Sequence, residues 1–212
     1  MFDAPVLRRS VIMAAPLLMI AFSLVHGLDW VIMHGMHDDY EAFLEYIVQI
    51  RARWLAVHVA GLVLFPLLGV AIWWMLPPDG WATRVSQVGI AGYIVLYSAF
   101  DAIAGIGSAV LADYRQGLPE EQRGVVDGAI WALMGESDPT FYLAESASYA
   151  WLIGTIAAAV ALWRNYGWRV SVPLVLGAAV FFESHFPPFG AIAGGLLAVA
   201  AWQFLRRARQ LA

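Results

Sequence analysis

Cysteine is absent from this 212-residue chain, which excludes disulfides, thiolate metal sites, iron–sulfur clusters and cysteine nucleophiles from the outset. Lysine is absent as well. All twelve basic residues are arginine, so Schiff-base chemistry, a retinal linkage and the lysine of a phosphate-binding loop are also excluded. Charge of either sign is scarce, at 13% of residues, and the largest basic cluster is Arg206, Arg207 and Arg209. With a formal net charge of −4 the chain has no electrostatic footprint for nucleic acid. It also has no HExxH pair and no histidine-rich run.

What fills the space is apolar. Hydrophobic residues make up 61% of the chain and the mean hydropathy is +0.70, against about 45–50% apolar residues in soluble domains. The expected fold is a single polytopic transmembrane domain over residues 1–212, an all-α bundle of six spans. Hydropathy places these at 11–33, 54–76, 85–111, 141–163, 168–182 and 189–204. Arg8 and Arg9 precede a run too long for a signal peptide, so that run reads as the first span. The last two spans flank Ser184-His185-Phe186-Pro187-Pro188, where paired prolines break helix continuity and predict a tight helical hairpin.

Arginine counts give the direction. With both termini in the cytoplasm, Arg8, Arg9, Arg84, Arg164, Arg169, Arg206, Arg207 and Arg209 lie inside, and Arg51, Arg53, Arg115 and Arg123 lie outside. The expected location is the inner, or plasma, membrane of the cell, with the lipid bilayer as the first partner. The two longest loops then face outward and carry ten of the sixteen acidic residues. In the second, Pro119-Glu120-Glu121 opens a helix with Val125, Val126, Ile130, Trp131 and Leu133. It lies either on the membrane surface or packed on the bundle. Gly190 and Gly194 have the spacing that lets helices approach closely, by default within the monomer, with a homo-oligomer as the alternative. The ten tryptophans, Trp54, Trp81, Trp151, Trp163 and Trp168 among them, read mainly as interfacial anchors.

Buried ionisable residues carry the functional expectation, because charge within a span is costly and faces a partner or a cavity. His26 near the outer end of the first span and His58 near the start of the second fall at similar depth. Glu145 and Ser148 open the fourth, Glu183 and His185 close the fifth, and Asp101 sits deeper in the third on a stripe with Tyr97, Gly105 and Ser108. This pattern predicts an outward-half site with His26, His58, Glu183 and His185 as metal ligands, and with Asp101 and Glu145 managing protons. A divalent ion such as zinc is the expected cofactor, and haem gripped by His26 and His58 is the weaker alternative. A small hydrophobic or cationic ligand would occupy the same place. Competing readings are an intramembrane enzyme, a proton- or cation-coupled solute transporter, and a structural or accessory protein whose polar layer only specifies packing. His34 and His37, beside Asp38 and Asp39, read as solvated loop residues, and Asp29 as an interfacial carboxylate or a partner for His26.

His26, the Ala56-Val57-His58 opening of the second span, Asp101-Ala102 and His185-Phe186-Pro187-Pro188-Phe189-Gly190 together resemble a group of small polytopic bacterial membrane proteins. The resemblance implies the transmembrane architecture but no activity. Alkaline ceramidases also combine His, Asp and Ser, but their paired histidines on the final helix have no equivalent here. Membrane terpene cyclases are similar only in having buried carboxylates.

Overall fold

Apolar side chains recurring at helical rather than alternating spacing produce helices, and no strand occurs among the described residues. The computed structural model describes residues 4–27, 40–136, 138–185 and 187–211. Asp29, Trp30, His34, His37, Asp38 and Asp39 lie outside the described residues, as does Phe186. In chain order the elements are α1 (Ala4–His26), α2 (Tyr40–Met75) and α3 (Trp81–Phe100). A π-helical segment (Asp101–Gly107) and α4 (Ser108–Gln116) continue α3 without a break. Then come α5 (Glu120–Trp131), a π-helical turn (Ala132–Glu136), α6 (Asp138–Tyr166), α7 (Trp168–Glu183) and α8 (Phe189–Leu211).

Five helical runs are long and apolar enough to cross a membrane: α1, α2, the rod from Trp81 to Gln116, the run ending in α6, and α8. This is the pattern of a multi-pass membrane protein. The remaining expected span, the fifth in chain order, is α7, which has 16 residues, about 24 Å at 1.5 Å per residue, shorter than a hydrocarbon core of about 30 Å.

Two expectations about boundaries are corrected. Residues 40–53, read as loop, are the first turns of α2, because Leu44, Ile47 and Trp54 form one buried stripe while Glu41, Glu45 and Arg51 dilute the hydropathy around them. Likewise the third span continues past residue 111 to Gln116. The surface-helix expectation resolves in favour of packing. Ile130 of α5 is buried with Leu44, Ile47, Trp54, Ala109 and Ala112, and Val126 packs against this group. The extended ends of α2 and α4 thus form, with α5, a small capping core of their own.

The main core lies toward the other end, around Phe65, Tyr93, Trp151, Leu162, Leu174 and Leu197. Here α3 and α6 touch backbone to backbone. A Cβ on Gly89 would lie 2.6 Å from Gly154 Cα, so only paired glycines permit the crossing. Gly194 has the same role between α8 and α1, where an added Cβ would meet Ile20 and the Pro16 carbonyl, placing the glycine spacing of α8 inside the monomer. Gly167, at φ 71, is the single residue joining α6 to α7, and its left-handed backbone favours glycine. The expected hairpin around His185 is present between α7 and α8.

Candidate functional site

Four segments meet between the two cores: the C-terminal end of α1, the middle of α2, the π-helical segment, and the α7–α8 turn. His26, His58 and His185 come together there. The His26 ring centroid lies 5.2 Å from that of His58 and 5.4 Å from that of His185. Phe22, Trp54, Phe65 and Phe181 wall the cluster with aromatic faces and edges.

His58 is held on both sides. Its Nδ1 lies 2.6 Å from Asp101 Oδ1, and both side chains are buried. The ring packs closely against the π-helical segment, where a Cβ on Gly105 would fall 2.2 Å from His58 Cγ. Gly61 provides the matching space for the carboxylate, since a Cβ there would sit 2.6 Å from Asp101 Oδ2. Trp54 donates its indole N–H to the Gly105 carbonyl at 3.0 Å, fixing the same backbone from the other side. A π-helical segment widens the helix and displaces its carbonyls from the ordinary ladder, and such segments recur at functional sites.

Asp101 Oδ1 is placed to accept the Nδ1–H of His58, and in that tautomer Nε2 keeps its lone pair. That Nε2 is buried and has no hydrogen-bond partner among the described residues, and the same is true of Asp101 Oδ2. Buried polar atoms are satisfied in the great majority of proteins, so an orphaned imidazole lone pair beside a carboxylate marks a place for an exchangeable proton, a water or a ligand. His185 is oriented in a parallel way, with Nδ1 2.9 Å from the Tyr97 hydroxyl.

The predicted set is thus divided. His26, His58, His185 and Asp101 assemble, whereas Glu145 and Glu183 do not. Glu183 ends α7 exposed to the surroundings. Glu145 is half-buried on α6 and forms no hydrogen bond to the cluster among the described residues, and neighbouring Ser148 turns its hydroxyl back to the Ala144 carbonyl. Asp101, expected deeper than the histidines, is not set below them. Counting from Trp81 it stands about 30 Å along α3, level with His58 and beside it. Trp54 and Trp151 are buried hydrogen-bond donors rather than interfacial anchors, Trp151 reaching the Ala178 carbonyl at 3.2 Å. Trp81, Trp163, Trp168 and Trp202 are exposed, as anchors would be.

Among the described residues no three His, Asp or Glu side chains are grouped so as to hold a metal ion. As they stand, the side chains form a hydrogen-bonding site rather than an assembled metal cage. His26 and His58 are in edge-on contact, with interplanar angle 83°, so no macrocycle fits between them. The weaker haem expectation fails on that geometry.

Sequence reasoning missed Gly61 and Gly105 as the positions that make room for the Asp101 carboxylate and the His58 ring, and Trp54 as a second support. Spacing holds the only signal for them: Trp54, His58 and Gly61 follow one face of α2, and Asp101 and Gly105 one face of the next helix. The chain matches no protein-family model, no curated protein and no solved structure.

Proposed function

We propose that this chain is a six-span membrane protein with both termini inside, and that its histidine cluster is a proton-exchanging binding site in the outer half of the bilayer. The arginine asymmetry and the five membrane-length helices support the topology. α7 supplies the fifth span, and α8 returns as the sixth after the prolines at the outer boundary.

One observation carries the site reading: the His58–Asp101 pair at 2.6 Å with the far imidazole nitrogen left unbonded inside the bundle. A carboxylate hydrogen-bonded to one nitrogen of a histidine fixes its tautomer and aims the other nitrogen. His58 is then the group that accepts a proton or hydrogen bond from a small polar or cationic ligand. Asp101 stabilises the imidazolium that results. His26 and His185 surround the position, and Tyr97 holds His185 by a hydrogen bond.

Differential potentiometric titration of the purified chain against His58→Gln tests this directly. The wild type is expected to exchange about one more proton per chain than the variant. Superimposable curves from two folded proteins would remove the proton-exchange reading.

A second reading, zinc binding, has its own supporting observation. The Nδ1 atoms of His58 and His185 are each occupied by an orienting partner, the arrangement of ligand histidines in metal sites, and His26 touches both rings. Elemental analysis after equilibration with zinc separates the two. One ion per chain, lost in both His58→Ala and His185→Ala, supports the metal; substoichiometric zinc supports proton exchange alone.

A further inference from the structure

The opposite end of the bundle holds a second cluster that the histidine site does not use. A polar cavity of about 90 Å³ opens there between the α6–α7 turn and the last turns of α8, lined by Tyr166, Arg169, Gln203, Arg206, Arg207 and Gln210. Every charged group in that lining is an arginine. Beyond Tyr166, which lines both, a larger cavity of about 440 Å³ carries Arg8 and Arg9 with the apolar side chains of Ile12, Phe204 and Leu205.

Two further observations say what kind of ligand belongs here. None of Arg9, Arg169, Arg206 and Arg207 forms an ion pair among the described residues, so no described carboxylate neutralises their charge. Two of them are also pre-oriented by neighbouring indoles. The Arg169 guanidinium carbon lies 5.6 Å from the Trp168 ring centroid, and that of Arg206 lies 5.7 Å from the Trp202 ring centroid. Trp168 and Trp202 are exposed, which suits indoles at the boundary between lipid and water.

We infer that this end is a binding site for an anionic phospholipid. Its phosphodiester is received by the forks of Arg169, Arg206 and Arg207, with Gln203 and Gln210 as further donors, and its glycerol and upper acyl carbons are received by the apolar part of the adjoining cavity. Guanidinium groups bind phosphate oxygens bidentately, and basic pockets between spans on the cytoplasmic side are suited to such headgroups. Arg8 contributes less, because its guanidinium is already given to the Trp74 carbonyl. The inference rests on the membrane reading above but not on the histidine site.

The test uses the full chain in neutral detergent, followed by native mass spectrometry and thermal unfolding. It is titrated with phosphatidylglycerol, with phosphatidylcholine of the same acyl chains, and with millimolar inorganic phosphate. Phosphatidylglycerol is expected to bind and raise the melting temperature, while the other two have little effect. Arg207→Gln weakens binding about fivefold and Arg206→Gln with Arg207→Gln considerably more, whereas Arg51→Gln at the other end leaves it unchanged. All these arginines are surface groups, so folded variants are expected, and the thermal trace without lipid verifies it. Equal binding of both lipids, or unchanged binding in the double variant, would overturn the site. Equal stabilisation by inorganic phosphate would replace the lipid with a soluble anion. Recovery of the chain in the soluble fraction of cells would overturn the membrane reading itself, a result distinct from loss of lipid preference in a membrane-bound chain.

Discussion

The arginines at the two ends of the bundle meet different fates. At the end near α5, Arg115 forks onto both carboxylate oxygens of Asp127, Arg51 reaches Asp113 at 2.8 Å, and Arg123 donates to the Leu118 carbonyl. The Arg115 and Arg51 ion pairs hold α2, α4 and α5 together. At the opposite end Arg169, Arg206 and Arg207 face open cavities with no carboxylate against them among the described residues. One end spends its charge on structure and keeps the helix extensions in place over the histidine cluster. The other keeps its charge available to an external anion. The difference follows from where the acidic residues fall, and it separates internal cohesion from recognition within a single small bundle.

The comparison can be broken from either side. The largest effect is expected between the ends, at Gly105→Ala, where the new methyl group would overlap the His58 ring. Overpacking against a buried ring costs about 3 kcal/mol, measurable by denaturant unfolding in detergent, and the extra proton of the wild-type titration disappears with it. Next comes Asp101→Ala. Leaving the His58 N–H without an acceptor costs about 1–3 kcal/mol, and the same unfolding assay reports it. Within the cap, Arg115→Gln is expected to cost about 1 kcal/mol because its pair is mostly buried. Arg51→Gln, with its partner 72% exposed, costs under about 0.5 kcal/mol and loses even that in high salt. Gly124→Ala on α5 meets nothing within 4 Å, so it gains about 0.5–1 kcal/mol of helix propensity if α5 is an ordinary packed helix. At the other end, Arg206→Gln is expected to leave lipid-free stability within about 0.5 kcal/mol. A large loss there would mean that this end, too, is held together by its arginines.

Much of this was legible in the sequence. Long apolar runs with helical spacing announced the bundle, and charged residues inside them announced the site. His26, His58 and His185 could be matched because depth along a helix is counted in residues, and the proline pair marked the turn that brings His185 back. What residue counting does not contain is rotation about the helix axis and the order of helices around the bundle. That is why Glu145, at a suitable depth, and Glu183, exposed at the end of α7, fall outside the cluster. Hydropathy also hid the first turns of α2 and the end of α4, whose charged faces mask buried stripes. The π-helical segment left no trace of its own, although the paired glycines at 105 and 107 sit within it.

The central claim is that Asp101 fixes His58 with its proton on Nδ1 and its lone pair on Nε2, facing into the cluster. Nitrogen-15 NMR of histidine-labelled protein in lipid, with His58 assigned by comparison with His58→Gln, reads that tautomer directly. The account predicts a protonated Nδ1 and a bare Nε2 at high pH, with the preference weakened in Asp101→Asn. A His58 whose proton sits on Nε2, or whose tautomer ignores the Asp101 substitution, would contradict it.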